Sequence, residues 1–322
     1  MGRVDMNRLI CIELLVVTCL TVTFAFATYQ RNLFWKDDLI LWSDSAKKSP
    51  HKYRPHNNLG LALYDKKDYN RSMAEFKEAL RLNPRAEKAH LNIGRIHEDK
   101  GKIKDAIGEY HKALKIAPNS VDTLHLLGIA FAKQGLLDLA VSYYKKALRL
   151  RPDRPSLFVS LGSALHKKGL TDSALDKFKK ALKIAPDIAQ AYYNIGIIHD
   201  EKGLLQGATH FYQQALKLKP DYPQALSNLG VVYGKTAKIE VAIPLFKRAL
   251  DITQDDPITL LNLAFAYEEL AKSGERRAEG KELMVKAIET YRKILDLDPE
   301  NVRAKERMEK ISKKLSNFSI SQ

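Results

Sequence analysis

The sequence predicts an all-α fold, a solenoid of paired helices behind one N-terminal transmembrane helix, and three observations carry that reading. Glycines recur at a fixed 34-residue interval, at Gly60, Gly94, Gly128, Gly162, Gly196 and Gly230, and prolines keep it at Pro84, Pro118, Pro152, Pro186 and Pro220. An aromatic (Phe76, Tyr110, Tyr144, Phe178, Tyr212, Phe246) and an alanine (Ala79, Ala113, Ala147, Ala181, Ala215, Ala249) share that register. Ahead of the repeats stands a nearly unbroken apolar run, Leu9 to Thr28. A strict period of this length describes one supersecondary unit stacked on copies of itself, because each unit buries its apolar face only against its neighbours.

The elements follow in chain order. Residues 1–8 are a short tail carrying Arg3 and Arg8, and residues 9–28 are the transmembrane anchor. At 1.5 Å per residue that run spans about 30 Å, the thickness of a bilayer core. Glu13, its one charge, lies near Arg8 and can reach the interface. A cleaved signal peptide is the second reading, since Ala25-Phe26-Ala27 resembles a small-x-small cleavage site. The length of the run favours the uncleaved anchor. Basic residues are fewer before it (Arg3, Arg8) than after it (Arg31, Lys36, Lys47, Lys48), and that count places the C-terminal side in the cytoplasm. Residues 29–52 form a junction helix whose apolar side, Leu33, Leu39, Leu41 and Trp42, suits docking on the first repeat.

Six equal units in this register occupy 53–256, starting at Tyr53, Glu87, Val121, Pro155, Ala189 and Pro223. Proline suits a first helical turn, where its missing N–H has no intrahelical partner. Asp153, Asp187 and Asp221 precede three starts and are expected to cap them. The glycine at the eighth position lets the second helix lie close against the first, and the aromatic fills the gap between neighbouring units. Gly101, Gly135, Gly169 and Gly203 end four of the first helices, where a left-handed backbone is easiest for glycine. Lys67 and Ala237 replace it in the first and sixth units, so those turns are expected to be less well formed. A divergent seventh unit, 257–299, has Ala264 at the glycine position and an insertion at 271–281, "KSGERRAEGKE" with its neighbours, read as an exposed insertion or helix extension. Residues 300–322 read as a polar capping helix and tail.

The formal charge is +15. Its lysines and arginines recur with the repeat (Lys77, Lys112, Lys145, Lys179, Lys247), which describes a solvated outer face, and no aromatic platform accompanies them, so nucleic acid is not expected as a partner. The two cysteines, Cys11 and Cys19, lie in the apolar run and set no disulfide framework. Phosphate-loop, dinucleotide and paired zinc-ligand patterns do not occur. No catalytic residue, cofactor or metal is expected, and the chain reads as non-enzymatic. His97 and His199, in "HEDKG" and "HDEKG", sit three repeats apart and read as partly solvated helix-end residues.

The more informative row is Asn58, Asn92, Asn194, Asn228 and Asn262, all at the sixth position of a first helix and interrupted by Leu126 and Ser160. A carboxamide offers two donors and an acceptor, so a row of them can hold the backbone of an extended peptide. The other reading is that they stabilise helix packing. Around them the same face presents Arg54, Lys88 and Arg95 at its N-terminal end, with Tyr64, Tyr193 and Phe265.

The Leu/Ile-Gly pair, aromatic, alanine and closing proline resemble the tetratricopeptide repeat family from about Tyr53 to Pro299. That resemblance implies a right-handed superhelix whose first helices line a concave groove for a protein or extended peptide. The asparagine row resembles the ladder in the repeats of O-linked N-acetylglucosamine transferases. Asp122 and Leu126 stand where the carboxylate clamp of chaperone-binding repeats needs basic residues, which excludes that clamp. The junction, with Arg31-Asn32, Trp35, Leu41-Trp42, Ser49-Pro50, Arg54 and Asn58-Leu59-Gly60, resembles membrane protein O-mannosyltransferase-like proteins with C-terminal repeats of this kind. It implies repeats on the extracytoplasmic side, periplasmic or lumenal, against the charge count. Two functions follow: a membrane-anchored scaffold that binds a partner in its groove, or the repeat-bearing part of a membrane protein glycosyltransferase system that presents acceptor proteins. Exposed repeat faces can also stack, which leaves a homo-oligomer open.

Overall fold

The computed structural model describes residues 6–34, 37–273 and 277–320. Residues 1–5 of the tail, Trp35 and Lys36 of the junction motif, 274–276 of the insertion and 321–322 lie outside the described residues, as do the side chains of Cys11 and Leu33. Seventeen helices and no strand occur among the described residues. They fall into two compact units, Met1–Leu150 and Arg151–Gln322.

The first unit opens with α1 (Met6–Phe34) and α2 (Asp38–Lys48). Over Ile12–Tyr29 the mean hydropathy of α1 is 1.8 and none of these residues is buried, so it is long and apolar enough to cross a membrane by length and composition. The short helix α2 is capped by Asp37, whose Oδ1 accepts from the Leu39 amide at 2.8 Å. Three hairpins follow: α3 (Tyr53–Asp65) with α4 (Tyr69–Leu82), α5 (Glu87–Asp99) with α6 (Ile103–Ile116), and α7 (Val121–Lys133) with α8 (Leu137–Leu150).

The second unit holds α9 (Pro155–Lys167) with α10 (Thr171–Ile184), α11 (Ala189–Glu201) with α12 (Leu205–Leu218), and α13 (Pro223–Lys235) with α14 (Ile239–Ile252). It closes with α15 (Pro257–Ser273), α16 (Arg277–Leu297) and α17 (Val302–Ile320). The extra residues of the seventh hairpin lengthen its helices, to 17 and 21 residues against 13 and 14 in the others.

Each of the first six hairpins is built round its glycine. A β-carbon on Gly60 would lie 2.7 Å from the Phe76 ring, and one on Gly94 2.3 Å from the Tyr110 ring, so only hydrogen fits between helix and aromatic. The same ring also packs outward: Phe76 contacts Ile93 and Ile96 of the next hairpin. Burying such a ring stabilises the fold by about 3 kcal/mol.

The helix α2 belongs to this scheme. Trp42 stands one repeat length before Phe76, and Pro50 one repeat length before Pro84. Leu39, Trp42 and Ala46 pack on Leu59 and Leu63 of α3 as Phe76 packs on α5. It is therefore the second helix of an incomplete repeat.

Two expectations about helix ends need correction. The first helical residues of α9 and α13 are prolines, yet their N-cap residues Arg154 and Tyr222, like Ile188 of α11, make no side-chain cap bond. Asp153, Asp187 and Asp221 lie one residue too early. Asp153 instead accepts from Arg151 at 2.9 Å, and Asp221 from Arg248 at 3.4 Å. Besides Asp37, side-chain caps come from Asp68, Ser120, Asp256 and Asn301. The turns at Lys67 and Ala237 are formed like the others. Their φ values of 61° and 57° match the left-handed glycines at 71–79°. Lys67 N donates to Tyr64 O at 2.8 Å, and Asp68 N to Leu63 O at 2.9 Å, the pair of bonds that also closes the turn after α5. Packing of the two helices imposes the turn on residues that resist it.

Candidate functional site

First helices of successive hairpins lie side by side, α3 with α5 in the first unit and α9, α11, α13 and α15 in sequence in the second. The second helices flank them. Residues at the second, fifth, sixth and ninth helical positions therefore share one face, since positions three and four apart stack along a helix.

In the first unit this face carries Arg54, Asn58, Tyr64, Lys88, Asn92 and Arg95. A carboxamide relay links two hairpins: Asn92 Nδ2 donates to Asn57 Oδ1 at 3.5 Å, and Asn57 Nδ2 donates to Asn58 Oδ1 at 3.3 Å. Asn57 is 8% exposed, and its burial is tolerable because both ends of its amide are used. Arg54 and Lys88 are exposed on the wall of one pocket of about 470 Å³ whose floor includes Asn57 and Asn58. Arg95 lies 5.0 Å over the Tyr64 ring, while the Tyr64 hydroxyl donates to Asp99 at 2.6 Å. Burial, and then that bond to a carboxylate, push the Tyr64 hydroxyl up to about 12, so it stays a neutral donor.

In the second unit Asn194 Nδ2 donates to Ser163 Oγ at 3.2 Å, and Asn228 Nδ2 donates to the Tyr193 hydroxyl at 3.3 Å. Tyr193 also stands 4.9 Å from the Tyr222 ring, and burial raises its hydroxyl. Asn262 and Phe265 line a cavity of about 190 Å³ with Val231. Two arginines of α17 cover Phe265, Arg303 at 4.6 Å and Arg307 at 5.0 Å from the ring centre.

Asn92, Asn194 and Asn228 thus each spend an N–H on the preceding repeat, which is the packing role. Asn92 and Asn194 thereby keep a second N–H and a carbonyl for a ligand, whereas Asn228 Nδ2 also donates to the Tyr212 hydroxyl at 3.5 Å and keeps only its carbonyl. All five asparagines of the row are half-buried rather than sealed in the core. Sequence reasoning passed over Asn57 and Ser163 and read Tyr212 only as a gap-filling aromatic, whereas its hydroxyl also accepts from Asn228 at 3.5 Å. The doubled Asn57-Asn58 was the available signal, because a carboxamide at the fifth position faces the next helix and needs a partner there.

The two histidines His97 and His199 lie on α5 and α11, in different units. Each has a buried Nδ1 without a hydrogen-bond partner. Among the described residues no group of three or more His, Cys, Asp or Glu is placed to hold a metal ion.

Models of the tetratricopeptide repeat match residues 85–153, 125–187 and 223–256, and a TPR repeat model matches 60–101 and 201–236. No curated protein matches the sequence. Among solved structures, a chain of the APC/C hetero-tetramer Cut9-Hcn1 superposes with a TM-score of 0.67 at 18% identity, over 85% of this chain and 52% of that one. The chain therefore spans about half the length of that relative. PilF of Pseudomonas aeruginosa gives 0.55 at 19% identity, over 69% of this chain and 96% of PilF. MamA gives 0.42 at 30% identity, over 50% of this chain and 95% of MamA. The first two likenesses show the helical repeat fold alone. With the glycine–aromatic hairpin repeated in register and more than half of its residues covered by these models, the chain belongs to the tetratricopeptide repeat family.

Proposed function

We propose that the chain is a membrane-anchored scaffold that holds a protein partner, or an extended segment of one, on its first-helix faces. The observation that carries this reading is the chemistry of those faces. Half-buried carboxamides (Asn58, Asn92, Asn194, Asn228, Asn262) alternate with exposed cations (Arg54, Lys88, Arg95) and half-buried tyrosines (Tyr64, Tyr193) instead of being consumed in the core. A surface of fixed donors and aromatic edges suits a polypeptide backbone, and rigid paired helices present it without an ordering cost. The anchor reading rests on α1, whose apolar residues from Ile12 to Tyr29 have no protein cover. The junction resemblance favours repeats on the extracytoplasmic side. No structural feature favours a glycosyltransferase system over other protein partners.

The test is site-specific photo-crosslinking in native membranes. A photoreactive residue at Leu61, on the first-helix face, is expected to capture a defined protein, whereas one at Lys112, on a second helix, captures none. Equal adducts from both positions would sink the groove reading. Alkaline extraction reports on the anchor separately: chain released into the supernatant would mean that α1 does not span the bilayer.

A further inference from the structure

The twelfth position of a first helix is where one hairpin reaches for the next. Tyr64 donates to Asp99 at 2.6 Å, Glu98 pairs with Lys133 at 2.6 Å, His166 meets Glu201 at 2.7 Å and Asp200 pairs with Lys235 at 2.7 Å. Each of these pairs spans 35 residues. In the sixth hairpin the position is Gly234. Nothing lies within 4 Å of where its β-carbon would stand. Glu269, the residue that would be its partner, pairs with Lys272 of its own helix instead. The step from α13 to α15 is therefore left without the bridging side chain.

The backbone does not require this glycine. The left-handed residue between α13 and α14 is Ala237 at φ 57°, and Gly234 lies within α13, where only proline is a weaker helix former. Leaving out the side chain opens a cavity of about 190 Å³ between α13, α14 and α15. Val231, Ile239, Phe246 and Phe265 give it apolar walls, and its polar side chains are Asn262 and Glu269. Among the described residues no cation lines it. Phe265 is held by the Tyr291 ring, 6.2 Å away, and by Arg303 and Arg307 over its face, so this wall is in place before a ligand arrives.

We propose that the Gly234 pocket receives one large apolar side chain, of phenylalanine size, from a polypeptide segment held on the first-helix face; the proposal rests on the peptide-binding reading above and names the residue class selected between α13 and α15. An apolar cavity of about 150 Å³ is enough to hold a benzene ring. The 190 Å³ here therefore takes one such group, whereas pockets for whole small molecules start at about 300 Å³. Asn262, the last carboxamide of the row, borders the pocket, so a segment's backbone can be held where its side chain turns inward. Charge argues the same way. An acidic side chain would meet Glu269, and a basic one would find that carboxylate already paired with Lys272.

The experiment uses the full chain in lipid nanodiscs and fluorescence anisotropy with labelled Gly-Ser decapeptides that differ at one central residue, Phe, Gln or Asp. The Phe peptide is expected to bind at least about tenfold more tightly than the Gln peptide, the effect of burying one such ring. Salt should leave that margin intact, because no charge pairing produces it. Gly234→Leu fills the cavity and removes the margin, and Gly108→Ala, on α6 of the first unit, leaves it unchanged. Should Gly234→Leu melt below the parent, Val231→Ala decides: it widens the pocket, so a Trp peptide gains at least about threefold on the Phe peptide relative to the parent. Absence of that gain overturns the proposal. Equal binding of Phe and Gln peptides, a margin that survives a stably folded Gly234→Leu, or tighter binding of the Asp peptide also overturns it, while leaving a groove that binds peptides through other contacts. If none of the three binds, the proposal falls as well, and the Leu61 crosslink decides separately whether the groove holds any partner.

Discussion

A β-carbon placed on Gly94 would stand 2.3 Å from Cε1 of Tyr110, and the Tyr110 ring is wholly buried. The contact leaves no room for relaxation, since the ring is also tied to Glu98 by a 2.8 Å hydroxyl bond. Gly94→Ala is therefore expected to destabilise the first unit by about 3 kcal/mol, the upper range for overpacking a core. Two other glycines calibrate it. Gly101 meets nothing within 4 Å but has φ 72°, so Gly101→Ala costs about 1 kcal/mol. Gly108, on an open stretch of α6, gains about 0.8 kcal/mol on conversion to alanine. Thermal melts that ranked the three in any other order would contradict this account of the hairpin.

Lys67 and Ala237 occupy left-handed backbone at φ 61° and 57°, where a β-carbon crowds the following carbonyl. Lys67→Gly and Ala237→Gly should each raise stability by about 1 kcal/mol, the strain relieved being offset in part by the greater freedom of glycine in the unfolded chain. Urea melts of the two variants check this. A loss in both would mean that the side chains contribute contacts outweighing the strain.

These two turns mark what the sequence could and could not reveal. The 34-residue register made the hairpins, the glycine–aromatic pairing and the first-helix face legible, because each depends on residues that recur. Properties that depend on one place did not. Nothing at Lys67 or Ala237 announces a left-handed turn, since the flanking helices impose it. Asp153, Asp187 and Asp221 looked like caps because they sit near helix starts, yet a displacement of one residue aims them at arginines or solvent. The asparagines were visible as a row, whereas the hydrogen-bond directions of Asn92, Asn194 and Asn228, toward the preceding repeat, follow from helix packing. Trp42 and Pro50 were in register all along, but without a paired first helix their unit did not read as one.

His199 packs against the Phe211 ring at 4.8 Å with its Nδ1 buried and unpartnered, and burial, with Lys202 and Lys179 nearby, lowers its pKa. A depressed histidine means that the unfolded chain takes up the proton first. Its contribution to stability is therefore complete above the unfolded value near 6.5, shrinks as pH falls through the folded value, and is constant below it. His199→Phe places here the residue that unit three carries as Phe131, stacked 5.4 Å from Tyr143. The variant is expected to be more stable at pH 7 by about 1 kcal/mol, the low end of the cost of an unsatisfied buried group. It should also lose less of its melting temperature between pH 7 and 5 than the parent does. A parallel shift of both curves would show that His199 does not titrate with folding.

Glu268 is 5% exposed, and Arg307 of α17 reaches both its oxygens at 3.1 and 3.2 Å, while Lys272 stands 3.4 Å away and the Tyr291 hydroxyl donates at 3.4 Å. The pair ties the last helix to α15, and the same guanidinium covers Phe265. A buried ion pair adds little net stability, but removing one member strands the other, at about 3 to 5 kcal/mol. Lys272, itself more exposed, can follow the carboxylate, so Arg307→Ala should fall near the lower end, about 3 kcal/mol. Replacing both as Glu268→Gln and Arg307→Met keeps the volume, removes the stranded charge and is expected to restore most of that loss. Hydrogen exchange over α15, α16 and α17 resolves the outcome by position: faster exchange confined to these helices in Arg307→Ala, and near-parental protection in the double variant. If the double variant exchanges as fast as the single one, packing on Phe265 rather than charge holds the C-terminal helix in place.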